Sequence, residues 1–317
     1  MHGMGNSEYV NRTWHLPETM HATNWQTRQM VRTIQCRDPT IPALWYLSYT
    51  HPPLTPLSFY WNMYRDVPVA TPSVGEWAED PDSVPLALRQ RRSQGEAMSD
   101  YAVRAARRAF YALSTHIDHQ LRVVLGTLRE QKLLENTVML FTSDHGDMLG
   151  KHGLWNKKLY YEESTRVPMI LVGAAGGEEI ECDSVDNKLV GWQDIMPTLL
   201  QLAGIPIPES VKGQSMLSDT RRDMLYGELG RGVQATRMVH VGRYKLIYYP
   251  AGNQVQLFDL EDDPEELVDI AGHAEAAAQR ADMEKRLIGQ LSGPDREWVV
   301  DGRLVGVPFE GLSLIHI

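Results

Sequence analysis

The chain is poor in cysteine, in long apolar stretches and in surplus positive charge, and each shortage removes a class of protein. Only two cysteines, Cys36 and Cys182, occur in 317 residues, too few for a disulfide framework and readable as unpaired small packing residues. No run of about 18 apolar residues exists, so no predicted helix spans a bilayer. The opening Met1-His2-Gly3-Met4-Gly5-Asn6 has neither a basic nor an apolar signal region, and localisation stays open between cytoplasm and periplasm. Lysine and arginine number 31 against 41 acidic residues, a formal net charge of −10. A phosphate backbone selects basic surfaces, so nucleic acid is excluded as a partner. An anionic small molecule is not excluded, but its site must be a local cluster of Lys, His, Arg or metal.

With 43% hydrophobic and 23% charged residues, the composition is that of a globular protein of one large domain, or a medium and a small one. A helix is predicted over His21–Gln35, with Trp25, Met30, Val31 and Ile34 facing inward. Ala43–Tyr49 is apolar and aromatic and is closed by Thr50-His51-Pro52-Pro53; it reads as a buried strand, since Pro-Pro ends a ladder. Ala102, Ala105, Ala106, Ala109, Leu113, Ile117 and Leu121 recur at three- and four-residue spacing and predict a helix over Tyr101–Gln131. Thr137–Thr142 and Val167–Val172 lack alternation, as strands buried on both faces do. A further helix is expected over Asp194–Leu202, stopped by Gly204. This order argues an α/β sheet domain over 1–215. Beyond it, Met224–Leu229, Arg237–Val241, Tyr244–Tyr249 and Val255–Leu260 alternate with turns and precede a helical His273–Leu291. Residues 216–317 therefore read as a small antiparallel sheet with a helix, ending in an apolar Leu312–Ile317 that fits no element.

The chemistry concentrates in Phe141-Thr142-Ser143-Asp144-His145-Gly146-Asp147. Polar groups after a strand of an open α/β sheet sit in its ligand crevice. A carboxylate beside an imidazole at a loop apex suits half of a metal site, although an isolated Asp-His-Gly reads more readily as a solvated turn. Downstream comes Leu149-Gly150-Lys151-His152-Gly153-Leu154-Trp155-Asn156-Lys157-Lys158-Leu159-Tyr160-Tyr161-Glu162-Glu163-Ser164, then Thr165-Arg166-Val167-Pro168. Taken whole, Ser143–Pro168 resembles the signature of the type I sulfatases, within the alkaline phosphatase-like superfamily. Asp194-Ile195-Met196-Pro197-Thr198, Tyr244-Lys245-Leu246-Ile247 and Leu257-Phe258-Asp259-Leu260 resemble later parts of that family, and the likeness covers about residues 40–290.

The resemblance implies part of an alkaline phosphatase-like mixed sheet flanked by helices, with a small α+β C-terminal domain, acting on small sulfated esters. It assigns Asp144 and His145 as ligands of a divalent cation, calcium first, with magnesium or manganese as alternatives. His145 stands where many members carry Asn, and brings a nitrogen donor to a hard cation. Lys157 takes the place of the lysine that contacts a sulfate oxygen; its neighbour Lys158 is expected in solvent. His51 resembles the histidine that protonates the leaving alcohol, which suits an imidazole near neutral pH; a structural histidine at a strand end is the other reading. His152 and Trp155 are weaker candidates for the substrate side.

The family's nucleophile is a formylglycine made from Cys or Ser in Cys/Ser-x-Pro/Ala-x-Arg, expected ahead of the metal-site segment, and no such motif precedes Asp144 in this chain. Cys36 begins Cys-Arg-Asp-Pro-Thr, Cys182 begins Cys-Asp-Ser-Val-Asp, and Ser83-Val84-Pro85-Leu86-Ala87 has Ala87 where Arg is required. The family's early Asp-Asp metal pair is missing too, and Asp262-Asp263 lies in a turn context. The expectation is therefore a C-terminal portion, inactive alone, with the formylglycine in a missing segment. A phosphonate monoester or phosphodiester hydrolase, or a non-catalytic anion-binding scaffold, remain as alternatives, and the oligomeric state is not legible.

Overall fold

The computed structural model describes residues 12–50, 54–80, 82–96, 98–174 and 180–307. Contacts divide the chain into two units, one of residues 1–71, 98–140 and 171–178, the other of 72–97, 141–170 and 179–317.

Three helices build the first unit: α1 (Ala22–Gln35), α2 (Ser58–Tyr64) and α3 (Asp100–Glu130). The Ser99 hydroxyl accepts the Ala102 amide and Asp100 sits in the first turn of α3, both favourable at a helix N-terminus. Ala105, Ala106, Ala109 and Ala112 are buried, and such small side chains let α1 and α2 pack closely against α3. Ile34 is buried as expected, but Trp25 points to solvent.

Ala43–Tyr49 is not a strand. It runs extended, with Trp45, Leu47 and Tyr49 half-buried between exposed neighbours, and no ladder forms on it among the described residues. The alternation follows from extended backbone alone. Leu44 is 83% and Tyr46 78% exposed, so the apolar run signals one covered face rather than two. Tyr49 is anchored by its hydroxyl, 3.0 Å from that of Thr27.

Strands β1 (Met139–Thr142) and β2 (Met169–Val172) pair in a two-stranded sheet. Pro168 cannot donate to a ladder, which accounts for the late start of β2. Burial on both faces does not hold here: Phe141 is 39% and Ile170 52% exposed.

The second unit rests on a four-stranded antiparallel meander, β3 (Met224–Leu229), β4 (Thr236–Val241), β5 (Tyr244–Tyr249) and β6 (Gln254–Asp259). Both of its faces are covered. Leu246 and Tyr248 of β5 pack with Val239, Leu257 and the buried side of helix Ala277–Gln290, through Met283 and Leu287. Ile247 and Tyr249 point the other way and join Phe258, Trp77, Met148, Leu154, Leu159 and Tyr161. The last four belong to the signature segment, so this sheet is the floor on which that segment lies. The fold is α/β with a C-terminal α+β part, as the sequence predicts.

Candidate active site

The signature segment leaves β1 at Thr142 and is pinned within a few residues. The Gly146 amide donates to the Ser164 carbonyl at 2.9 Å. A Cβ on Gly146 would lie 1.9 Å from the Glu163 carbonyl oxygen, so only glycine lets this turn press on the short Glu162–Thr165 helix. Gly146→Ala is expected to displace the turn and cost about 1–3 kcal/mol as overpacking does, read as a lowered midpoint in a thermal melt. The loop that follows closes on itself, Met148 N–H to Asn156 O at 3.0 Å and Gly150 N–H to Leu154 O at 2.9 Å. Its floor is Tyr161, fully buried, stacked on Trp77 at 5.1 Å and bonded through its hydroxyl to Gln256 Oε1 at 2.6 Å.

At the head of the segment stand Asp144 and His145. His145 Nδ1 lies 2.8 Å from the Gly146 carbonyl oxygen. A carbonyl can only accept, so Nδ1 carries a proton, and in the neutral imidazole Nε2 keeps its lone pair. Nε2 faces Asp144 Oδ2 at 3.4 Å, an ion pair when the ring is charged and two electron-rich donors when it is neutral. A backbone carbonyl fixing the far nitrogen is the usual support of a metal-binding imidazole. Two donors at this separation are a fitting bite for one divalent cation, whose ligands lie at about 2.0–2.6 Å. The Asp144 side chain is 70% exposed, and its Oδ1 accepts the His145 amide at 3.0 Å, which fixes the carboxylate's direction.

Lys157 is half-buried and sits between two left-handed residues, Asn156 (φ 73°) and Lys158 (φ 68°). Its amide donates to Asn156 Oδ1 at 3.0 Å. Arg91, from helix Leu86–Glu96, donates to the carbonyls of Lys157 at 3.4 Å and Lys158 at 2.9 Å. The backbone bearing Lys157 is thus held on both sides, and Lys158 is exposed as expected. His51 lies outside the described residues.

Below the segment lies a second, polar cluster that the sequence reading missed. Lys245, 1% exposed, places Nζ 2.7 Å from Glu162 Oε1 and 2.6 Å from Glu266 Oε1. Lys151 bridges Glu163 at 3.0 Å and Glu265 at 3.1 Å. His152 stands beside Glu163 and Glu266, their ligand-type atoms within 4.8 Å of one another. His152 is nonetheless the inverse of His145. Its Nδ1 accepts the Gly75 amide at 3.0 Å, so its proton is on Nε2, which is buried without a hydrogen-bond partner among the described residues. An imidazole in that state cannot ligate through Nε2, and Glu163 and Glu266 each already face an ammonium group, Lys151 and Lys245. Burial, with the nearby Lys151 charge, pushes His152 down to about 3, and burial pushes Glu266 up to about 7 against the opposing pull of Lys245. His152 is fully buried and lines no substrate surface.

The sulfatase family model matches residues 26–205, and that of the N-sulphoglucosamine sulphohydrolase C-terminal region matches 150–292. The chain belongs to the sulfatase family. An arylsulfatase of Clostridium perfringens is 33% identical over 323 residues, covering 99% of this chain and 67% of the relative. A choline-sulfatase of Rhizobium meliloti is 30% identical, over 89% of this chain and 56% of its own. This sulfatase chain thus spans between about half and two thirds of those relatives' length. Among solved structures, a phosphonate monoester hydrolase of Silicibacter pomeroyi shares the fold with a TM-score of 0.75 at 21% identity, over 89% of this chain and 64% of that one. A protein solved with its substrate D-glucosamine-2-N,6-O-disulfate does so with a TM-score of 0.69 at 18% identity, over 84% and 68%. The sulfatase chain is therefore alkaline phosphatase-like in fold and a sulfatase-type hydrolase by family.

Proposed function

We propose that this chain carries the cation-binding and substrate-orienting part of a metal-dependent sulfuric ester hydrolase. The observation that supports it most is the opposed pair His145 Nε2 and Asp144 Oδ2 at 3.4 Å, with the tautomer set by the Gly146 carbonyl. Relatives named as an arylsulfatase and a choline-sulfatase, at 33% and 30% identity, favour sulfate over phosphonate esters. Asp144 and His145 would hold a divalent cation, calcium by family resemblance, which would supply positive charge against the sulfuryl oxygens. Lys157 offers its ammonium to a sulfuryl oxygen as negative charge builds there, and His51 gives its proton to the departing alcohol oxygen. No Cys/Ser-x-Pro/Ala-x-Arg motif precedes Asp144, and Ser292-Gly293-Pro294-Asp295-Arg296, which fits the pattern, lies in the C-terminal part with Asp295 paired to Arg237. Hydrolysis by this chain alone is therefore expected to fall by about 10⁴–10⁶-fold, with cation binding weakened by the missing Asp-Asp pair.

Calorimetric titration with calcium tests the reading. Asp144→Ala should weaken binding by more than the roughly 10–100-fold that losing a supporting partner costs. His145→Asn, which substitutes an oxygen donor suited to a hard cation, should keep it. Unchanged calcium affinity in Asp144→Ala refutes the assignment.

A further inference from the structure

The turn that carries Asp144 is held from a second side. The Trp192 indole N–H donates to the Ser143 carbonyl at 2.9 Å, and the Ser143 hydroxyl donates to the His145 carbonyl at 2.8 Å. Trp192 is itself locked in place. Asp194, 2% exposed, accepts the amides of Gly191 and Gln214, each at 2.8 Å, and pairs with Arg222. A Cβ on Gly213 would lie 1.8 Å from the Gln193 carbonyl oxygen, so the neighbouring peptide is clamped as well. Such anchoring is far more than an idle surface indole needs.

The remainder of the side chain faces solvent, with Trp192 46% exposed and Met196, one helical turn on, 52% exposed. Because the only polar atom of the indole is already bonded, what stays free is a flat apolar face. Sulfate oxygens have nothing to gain from it. A ring does, through face contact and water exclusion.

We propose that Trp192 is a positioning and specificity-determining residue of the Asp144 site. Its N–H sets the turn that aims Asp144 and His145, and its exposed ring, with Met196 beside it, receives the ring-bearing alcohol portion of the sulfate ester. This rests on the reading of Asp144 and His145 as cation ligands. The preferred ester therefore carries an aryl or sugar ring next to the sulfate rather than a short alkyl chain.

The test uses the 317-residue chain and calorimetry, first with calcium, then at saturating calcium with phenyl sulfate, glucose 6-sulfate, ethyl sulfate and inorganic sulfate. Trp192→Phe keeps a ring but loses the donor; calcium should weaken by about 2–10-fold, the range of one net hydrogen bond, with phenyl sulfate held within about twofold. Trp192→Ala should weaken calcium alike and bind phenyl sulfate and glucose 6-sulfate about tenfold less tightly, with ethyl and inorganic sulfate unchanged. Loss of phenyl sulfate alone narrows the ligand to aromatic esters and still supports the platform. Equal binding of phenyl and ethyl sulfate by the wild type, wild-type behaviour of Trp192→Ala, or a uniform loss of all four anions overturns the proposal. Should Asp144→Ala retain calcium, the underlying site reading fails instead; should it lose calcium while Trp192→Ala behaves as wild type, only the role of Trp192 fails.

Discussion

Lys245→Ala is expected to cost about 3–5 kcal/mol of stability, the usual penalty for stranding buried charge by removing its partner. The Lys245 ammonium is the only counter-charge within 3 Å of Glu162 Oε1 and Glu266 Oε1 among the described contacts. Glu266 is itself fully buried, with Oε2 bonded to the Glu162 amide at 2.7 Å. Without Lys245, Glu266 takes up a proton more readily still, so the loss should be larger at pH 8 than at pH 6. Lys245→Met combined with Glu266→Gln removes charge from both sides of the pair and should recover much of the stability, since an apolar or neutral pair of similar shape is often tolerated where a broken pair is not. Urea unfolding of the wild type and the two variants decides it. A Lys245→Ala midpoint indistinguishable from wild type would mean the cluster contributes nothing.

The second large effect is a steep acid limb set by His152. Its ordinary value is 6.5 and its folded value about 3, so between those limits the unfolded chain holds a proton that the folded chain refuses. The stability it contributes is complete above pH 6.5 and is lost as pH falls toward 3, at about 1.4 kcal/mol per pH unit where the difference is one full proton. Glu266 has the opposite sign: its folded value of about 7 exceeds the ordinary 4.5, so its contribution is complete below 4.5 and lost as pH rises through 7. Between pH 4.5 and 6.5 the two slopes oppose each other; below 4.5 His152 acts without that compensation. Stability measured from pH 3 to 8 for wild type and His152→Gln should therefore show a wild-type advantage that shrinks as the medium is acidified. A difference that does not change with pH would refute the buried neutral imidazole.

How much of this was legible in the sequence depends on the range of the interaction. The helix over Tyr101–Gln131 was visible because one row of alanines and leucines repeats at helical spacing, and α3 differs from it by a residue at each end. The strands of the C-terminal meander were visible because short turns separate them. Ala43–Tyr49 was misread because an apolar run announces burial without saying what covers it. At the site, the pairing of Asp144 with His145 was local and therefore readable. The opposite tautomers of His145 and His152 were not, because each is set by a single backbone group, Gly146 O in one case and the Gly75 amide in the other. Nothing in the string connects Lys245 to Glu162 or Trp192 to Ser143, for those partners meet only after the sheet and the segment above it have been assembled.

That assembly has an order imposed by synthesis. The second unit is drawn from residues 72–97, 141–170 and 179–317, and the Trp77 indole donates at 2.9 Å to the carbonyl of Glu266, 189 residues later. At roughly 5–20 residues per second the ribosome delivers that partner about 10–40 s after Trp77. In the later part of that interval, until Ile247, Tyr249 and Phe258 follow, Met148, Leu154, Leu159 and Tyr161 have been made without the residues that cover them. The nascent chain is then a sticky intermediate that a holding chaperone should recognise. A translation product ending before Gln254 would contain Asp144 and His145 and lack β6 of the sheet on which their segment lies.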